Sequence, residues 1–282
     1  MSVSDRVRRA MSTLSPGEKQ LARVLLADYP SAGLGTSADL GRTADVSAAT
    51  VVRFARSLGF GGFSELQADL VSELSERGAS PVTQYGGSRE RRPVTDHWFD
   101  DAVAVTVGEA ERSLEAIPKG DLDASVALLA DRKRRVRVLG GRYSGFVARY
   151  FAFHLQQVRP DVLVLGDDVI GGVAAAIDAQ RRDVAVVFDL RRYQASTIAA
   201  ARAMAGAGTT IVCITDEWLS PVADVSAVTL TTSVASVGPF DSAAGAFVLS
   251  ELLVDGVLQS LGDEALQRME QWERAGGEDV LA

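Results

Sequence analysis

One cysteine, two histidines and three tryptophans serve the whole 282-residue chain, and each shortage excludes something. Cys213 sits in the apolar run Ile211–Ile214 with no partner for an internal disulfide, so a reducing, cytoplasmic compartment is expected. His97, His154 and that thiol cannot supply the ligand spacing of a zinc site, and neither metal nor cofactor is expected. Trp98, Trp218 and Trp272 are too scattered to form a base-stacking platform. No uninterrupted apolar stretch approaches the roughly 18 residues of a membrane span. The opening Met1-Ser-Val-Ser-Asp-Arg6 lacks the apolar core of a signal peptide. Net positive charge is missing as well, since 29 Lys and Arg stand against 37 Asp and Glu, a balance of −8. A chain this acidic cannot hold nucleic acid through overall charge, so any such contact must come from a local patch.

What is present reads as globular. Apolar residues make up 47% and charged residues 23%, and the length suits one or two domains. The acidity is uneven: residues 1–80 carry 9 basic and 9 acidic groups, residues 81–120 carry 5 and 7, and residues 121–282 carry 15 and 21. Within the neutral part, residues 41–60 hold Arg42, Arg53 and Arg56 against Asp45.

A Gly-, Ser-, Pro- and charge-rich stretch without apolar periodicity marks a linker at 78–97. It separates an all-helical head, 1–77, from a body, 98–282. The body opens with helical patterns at Trp98–Ile117 and Leu122–Arg132. Short β-rich runs follow at Val136–Leu139, Val162–Leu165, Val184–Phe188, Thr210–Ile214 and Ala227–Leu230, and the first four each precede an Ala- or Val-rich helical stretch. That alternation predicts βαβ units and a five-stranded parallel sheet covered on both faces. The run Ser242–Leu261 closes it with apolar residues at helical spacing.

In the head, Ser15-Pro16-Gly17-Glu18 predicts a helix start with a capping box. The segment Ser37–Phe60 reads as a short helix, a tight turn and a second helix capped by Ser47 and ended by Gly59, with Phe60 folding back. At 100° per residue, Val51, Phe54, Ala55 and Leu58 share one face, with Ala49, Arg53 and Arg56 opposite. Small residues in the first turn, Ser47, Ala48, Ala49 and Thr50, let a helix approach base edges, while Arg53 and Arg56 can reach guanine or phosphate. The pattern fits a recognition helix; a protein-interaction module with a solvated arginine face is the alternative.

Leu14-Ser-Pro-Gly-Glu18, Ser47-Ala-Ala-Thr-Val-Val-Arg-Phe-Ala-Arg-Ser-Leu-Gly-Phe60 and Gly62-Phe63-Ser-Glu-Leu66 resemble the N-terminal domain of the RpiR/MurR family of bacterial transcription regulators. The resemblance extends over essentially the whole chain. It implies a sugar isomerase (SIS) domain behind the head, with a nucleotide-binding-like fold that senses phosphosugars. It also implies a repressor, an activator being the rarer role.

In an open parallel sheet, ligands bind beyond the carboxyl ends of the strands. The loop after the first strand, Gly140-Gly141-Arg142-Tyr143-Ser144-Gly145, offers Gly141, Arg142 and Ser144. The loop after the fourth, Thr215–Ala223, resembles the SIS pattern in its Thr and Ser-Pro. The loop after the third departs from the hydroxyl-rich Ser-x-Ser-Gly-x-Thr of phosphosugar-binding SIS domains. Asp189 stands for the first Ser, Arg191 for the second, Arg192 for the Gly and Gln194 for the Thr. Two guanidiniums there suit a carboxylate or phosphate. The expected effector is therefore a small anion held by Gly141, Arg142, Ser144, Asp189, Arg191, Arg192 and Gln194. In the opposing reading Asp189 pairs with an arginine and shuts the loop.

The sequence thus points to an operator-binding homodimer or homotetramer with an anionic effector, no membrane and no catalysis. A phosphosugar isomerase or lyase using Glu217 as base is the alternative, and a body that serves only to dimerise is a third. His154 reads as a core or interface residue and His97 as a boundary residue.

Overall fold

The computed structural model describes residues 3–78, 81–83, 97–166, 174 and 177–281. Most of the linker expected at 78–97 lies outside the described residues, as does most of the helical stretch expected after the second strand. The chain forms two compact units that change over chiefly between Arg91 and Arg92.

In the first unit, α1 (Val3–Ala10), α2 (Pro16–Ala27), α3 (Ser37–Thr43), α4 (Ala48–Ser57) and α5 (Phe63–Gly78) surround one apolar core. Leu21, Leu25, Leu40, Val51, Phe54, Leu66 and Leu70 are fully buried in it. The start of α2 is set by Glu18, whose carboxylate accepts the Ser15 N–H at 2.9 Å and the Ser15 hydroxyl at 2.6 Å. Helix α3 carries the same device: the Thr36 hydroxyl accepts the Asp39 N–H at 3.1 Å, and the Asp39 carboxylate accepts the Thr36 N–H at 3.0 Å. The turn between α3 and α4 is closed by Val46 N–H donating to the Gly41 carbonyl at 2.8 Å. Helix α4 ends as its sequence predicts. Gly59 takes φ 87°, its N–H reaches the Arg56 carbonyl at 2.9 Å, and Phe60 N–H reaches Ala55 at 3.1 Å. These are the two bonds of a Schellman cap.

The second unit opens with α6 (Trp98–Ala116) and α7 (Lys119–Ala130) and continues through β1 (Val136–Gly140), α8 (Ser144–Val158) and β2 (Val162–Val164). Then come β3 (Val184–Asp189), α9 (Ala195–Gly206), β4 (Thr210–Thr215), β5 (Val228–Thr231), α10 (Ala244–Leu261) and α11 (Asp263–Leu281). All five strands are parallel, in the order β2-β1-β3-β4-β5. Alternation splits each inner strand, β1, β3 and β4, between two cores. Val136, Val138, Val184, Val186, Phe188, Val212 and Ile214 face α7, α8 and α10. Leu139, Ala185, Val187, Ile211 and Cys213 face Ala200, Ala201 and Met204 of α9. Burial on both faces is why the strands read as unbroken apolar runs rather than alternating ones.

Three local readings change. After β4 there is a 3-10 turn, Ala223–Val225, where an Ala- or Val-rich helix was predicted. Helix α11 was not predicted; Gly262, at φ 54°, separates it from α10. Finally, α10 is long and apolar enough by composition to cross a membrane, with mean hydropathy 1.4 over 18 residues. Its Ala246, Leu249, Leu253 and Val257 are fully buried against the sheet, while Val248 and Leu252 on its other side are exposed.

The amino-terminal edge of the sheet is tied by charge. Asp183, buried before β3, accepts from Arg135 at 2.9 and 2.8 Å through both oxygens. Arg159, fully buried at the end of α8, donates to the carbonyls of Leu129, Arg134 and Pro160. Burial lowers its pKa, but a guanidinium stays charged over the physiological range. The opposite edge is left for the loops, and strand order fixes where they meet. The chain leaves β1 toward β2 on one side and returns to β3 on the other, so the crevice opens between β1 and β3.

Candidate functional site

The candidate residues gather on two surfaces. On α4, Val51, Phe54 and Ala55 are buried, which turns Ser47, Ala48, Ala49, Arg53 and Arg56 outward; Thr50 is half-buried. The Ser47 hydroxyl accepts the Thr50 N–H at 3.2 Å and lies 3.0 Å from the Thr50 hydroxyl. Arg53 Nη2 donates to that same hydroxyl at 3.1 Å. A polar string thus runs from the cap along the first turns, with Ala48 and Ala49 beside it adding no bulk. Arg56 Nε reaches the Gly61 carbonyl at 3.4 Å. Arg42, grouped with these cations from the sequence, pairs with Asp39 at 2.8 Å, so the patch rests mainly on Arg53 and Arg56.

Sequence reasoning gave Glu18 only a capping role. In the structure its second oxygen also accepts the Ser57 hydroxyl at 2.7 Å, which ties the start of α2 to the end of α4. The Ser15 hydroxyl is the main cause of its lowered pKa; burial opposes it, and Ser57 and the charge of Arg53 add to it. No local pattern joins two residues 39 positions apart, so the sequence could not reveal this tie.

The crevice at the carboxyl edge gathers the other candidates. Gly140 is the last residue of β1, and a Cβ there would lie 2.8 Å from Gly145 N and 2.9 Å from the Ser144 carbonyl oxygen. Glycine is what allows α8 to begin so close to the strand. The Ser144 hydroxyl accepts the Gly141 N–H at 2.9 Å and donates to the Phe188 carbonyl at 2.7 Å, tying the β1 loop to β3. Arg142 is exposed, its guanidinium 5.0 Å from the Tyr143 ring centroid. Gln194 joins the two loops directly: its Oε1 accepts the Arg142 N–H at 2.8 Å, while its Nε2 donates to Ser196 at 2.8 Å.

Asp189 is buried. One oxygen accepts the Ser220 hydroxyl, and its carbonyl accepts the Thr215 hydroxyl at 2.8 Å. The two arginines of this loop share one acid. Arg191 Nη1 lies 3.0 Å from Asp241 Oδ1, and Arg192 Nη2 lies 3.2 Å from Asp241 Oδ2. Arg192 has φ 66°, a left-handed conformation at the position aligned with the glycine of the SIS pattern. Asp216, at the end of β4, accepts the Arg191 N–H and the Tyr193 hydroxyl, the latter at 2.6 Å. All seven candidates therefore lie on the two loops flanking the crevice. Asp216 and Asp241 were missed, because each is brought in from a different connection by the sheet order alone.

Glu217 is half-buried in the β4 loop. His154 lies in α8, edge-on to Tyr150 at 4.6 Å. Among the described residues no His, Cys, Asp and Glu group is suited to hold a metal ion.

Comparison with known proteins gives the same two-part division. Residues 1–77 match the helix-turn-helix domain of the rpiR family, and residues 128–254 match the SIS domain. An HTH-type transcriptional regulator in the aarA 3' region of Providencia stuartii is 27% identical over 170 residues, covering 59% of each chain. The HTH-type transcriptional regulator YfhH of Escherichia coli K12 is 29% identical over 157 residues, covering 54% of each. The chain thus spans little more than half the length of these relatives. Among solved structures, the Vibrio vulnificus NanR protein complexed with ManNAc-6P aligns over 98% of both chains at 20% identity and TM-score 0.54. The sugar isomerase domain of the RpiR transcription factor from Sphaerobacter thermophilus aligns with 64% of this chain and 99% of its own, at 21% identity and TM-score 0.57. At these identities the structural likeness speaks for the fold.

Proposed function

Because the chain belongs to the RpiR family of helix-turn-helix transcription regulators, with an SIS domain behind the head, we propose that α4 reads an operator and that the SIS crevice senses a small anion. The observation that carries the first half is the exposed string Ser47–Thr50–Arg53 with Ala48 and Ala49 beside it. Small side chains leave room for base edges and a thymine methyl, and Arg53 supplies donors for guanine or phosphate. Two half-sites need two heads, so the active form is a cytoplasmic homodimer or homotetramer on a pseudo-palindrome. Repression is the simplest output, with the effector lowering operator affinity by favouring one arrangement of the assembly.

The second half rests on Arg142, Arg191 and Arg192 beside the β1–β3 crevice. NanR, of the same fold, is complexed with ManNAc-6P, and a sugar phosphate or a sugar carboxylate is the class of effector these guanidiniums suit. Catalysis fits less well. Asp189 and Asp216 are occupied by Ser220, Tyr193 and the Arg191 amide, and Glu217 lies outside the β1 and β3 loops.

Capture of fragmented host DNA by the full chain at about 150 mM salt, where nonspecific phosphate contacts are weak, tests the DNA half. Enrichment of a shared palindromic motif by the wild type and its loss in Arg53→Ala are the expected results. No enrichment by a folded oligomer, with or without host metabolite extract, contradicts the reading.

A further inference from the structure

The anion site between Arg191 and Arg192 already contains a carboxylate belonging to the chain itself. Asp241 presents one oxygen to each guanidinium, at 3.0 and 3.2 Å, and the pair is well shielded: the Arg191 side chain is 8% exposed and that of Asp241 22%. Two oxygens on two arginines is also how a free carboxylate or phosphate would be held.

Asp241 belongs to a stretch without regular secondary structure, 232–243, between β5 and α10. That stretch has bonds of its own. Ser242 N–H donates to the Val234 carbonyl at 2.9 Å, and the Ser236 hydroxyl donates to Gly238 and Phe240 carbonyls at 3.2 and 2.5 Å. The Asp241 contact ties this stretch to the loop after β3. It leads directly into α10, which packs on α7 and α8 across one face of the sheet.

We propose that Asp241 is a built-in competitor. In the ligand-free state it occupies the guanidinium pair, and an anionic effector binds by displacing it, which releases 232–243 and alters the approach to α10. This rests on the reading of the crevice as the effector site. Three consequences follow from the chemistry. A monoanion replacing Asp241 leaves the charge on the guanidinium pair unchanged, so binding is an exchange rather than a new neutralisation. Being tethered, Asp241 acts at a high effective concentration and excludes weak anions. The released segment gives binding a structural readout at the start of a core helix, as a two-state device requires.

Calorimetry on the full chain, with inorganic phosphate and with gluconate as probes, tests the proposal and separates phosphate from carboxylate recognition. Asp241→Asn is expected to bind the preferred probe about tenfold more tightly than wild type, because the competing state is removed. Arg191→Ala/Arg192→Ala is expected to lose binding whether or not Asp241 is replaced. In the unaltered chain, amide exchange across 232–243 should quicken when the preferred probe is added; this readout needs no variant to fold. Equal affinity of wild type and Asp241→Asn, with loss only in the arginine variant and unchanged exchange in 232–243, overturns the competitor while leaving the effector site standing. No binding of either probe to any folded variant overturns the effector site, and the competitor with it.

Discussion

Single residues decide how the head responds to acid. Glu18 gathers the Ser15 amide, the Ser15 hydroxyl and the Ser57 hydroxyl on one carboxylate, and these contacts hold its pKa below the ordinary value. A carboxylate so lowered contributes stability above its unfolded pKa, about 4.3, and that contribution is lost as pH falls through the folded value. Glu18→Ala is expected to cost about 0.5–2 kcal/mol at neutral pH, the usual range for a lost helix cap. The cost should shrink as pH falls below about 4, toward the folded value. Thermal melts of the head at several pH values would check this; a difference independent of pH would contradict it. Arg192 is the second case. Its φ of 66° disfavours a branched side chain, so Arg192→Gly should exceed Arg192→Val in stability by about 1–2 kcal/mol. Denaturant unfolding measures this, and equal midpoints would contradict a backbone constraint at this position.

Among the elements, the junction of β1 with α8 bears the closest backbone approach. Gly140→Ala places a methyl on the Gly145 nitrogen and the Ser144 carbonyl, both main-chain atoms unable to step aside. We expect a loss of about 1–3 kcal/mol and weaker anion binding, since α8 must retreat and loosen the Ser144 bridge to Phe188. Wild-type calorimetric binding in that variant would show that the bridge does not shape the crevice.

What the sequence disclosed follows the range of the interactions involved. The β-strands and the cap at Gly59 depend on neighbours within a few positions, so their patterns are local and legible. Val184–Phe188, for example, is apolar throughout because both of its faces are covered. The candidate residues sit at the ends of β1 and β3, where local patterns locate them. Their partners are not legible in this way, because Asp241 and Asp216 reach Arg191 only through a sheet order that no local pattern contains. The helix expected after β4 failed for a related reason. Residues 216–227 are apolar enough to pack on α9, as buried Val222 does, yet they do so through a 3-10 turn.

At the scale of the molecule, a chain of net charge −8 cannot attract DNA through overall charge, so the proposed operator contact rests on a local patch that includes Arg53 and Arg56. A protein held by few phosphates has a shallow salt dependence, and its specificity must come from base contacts. Nuclease footprinting of a captured operator fragment by the full chain, wild type against Arg53→Ala, therefore tests the account most directly. It predicts two protected half-sites related by a dyad and separated by about 10–10.5 base pairs or a multiple of that, both lost in the variant at the same protein concentration. Uniform protection that survives Arg53→Ala and fades only with added salt would contradict it.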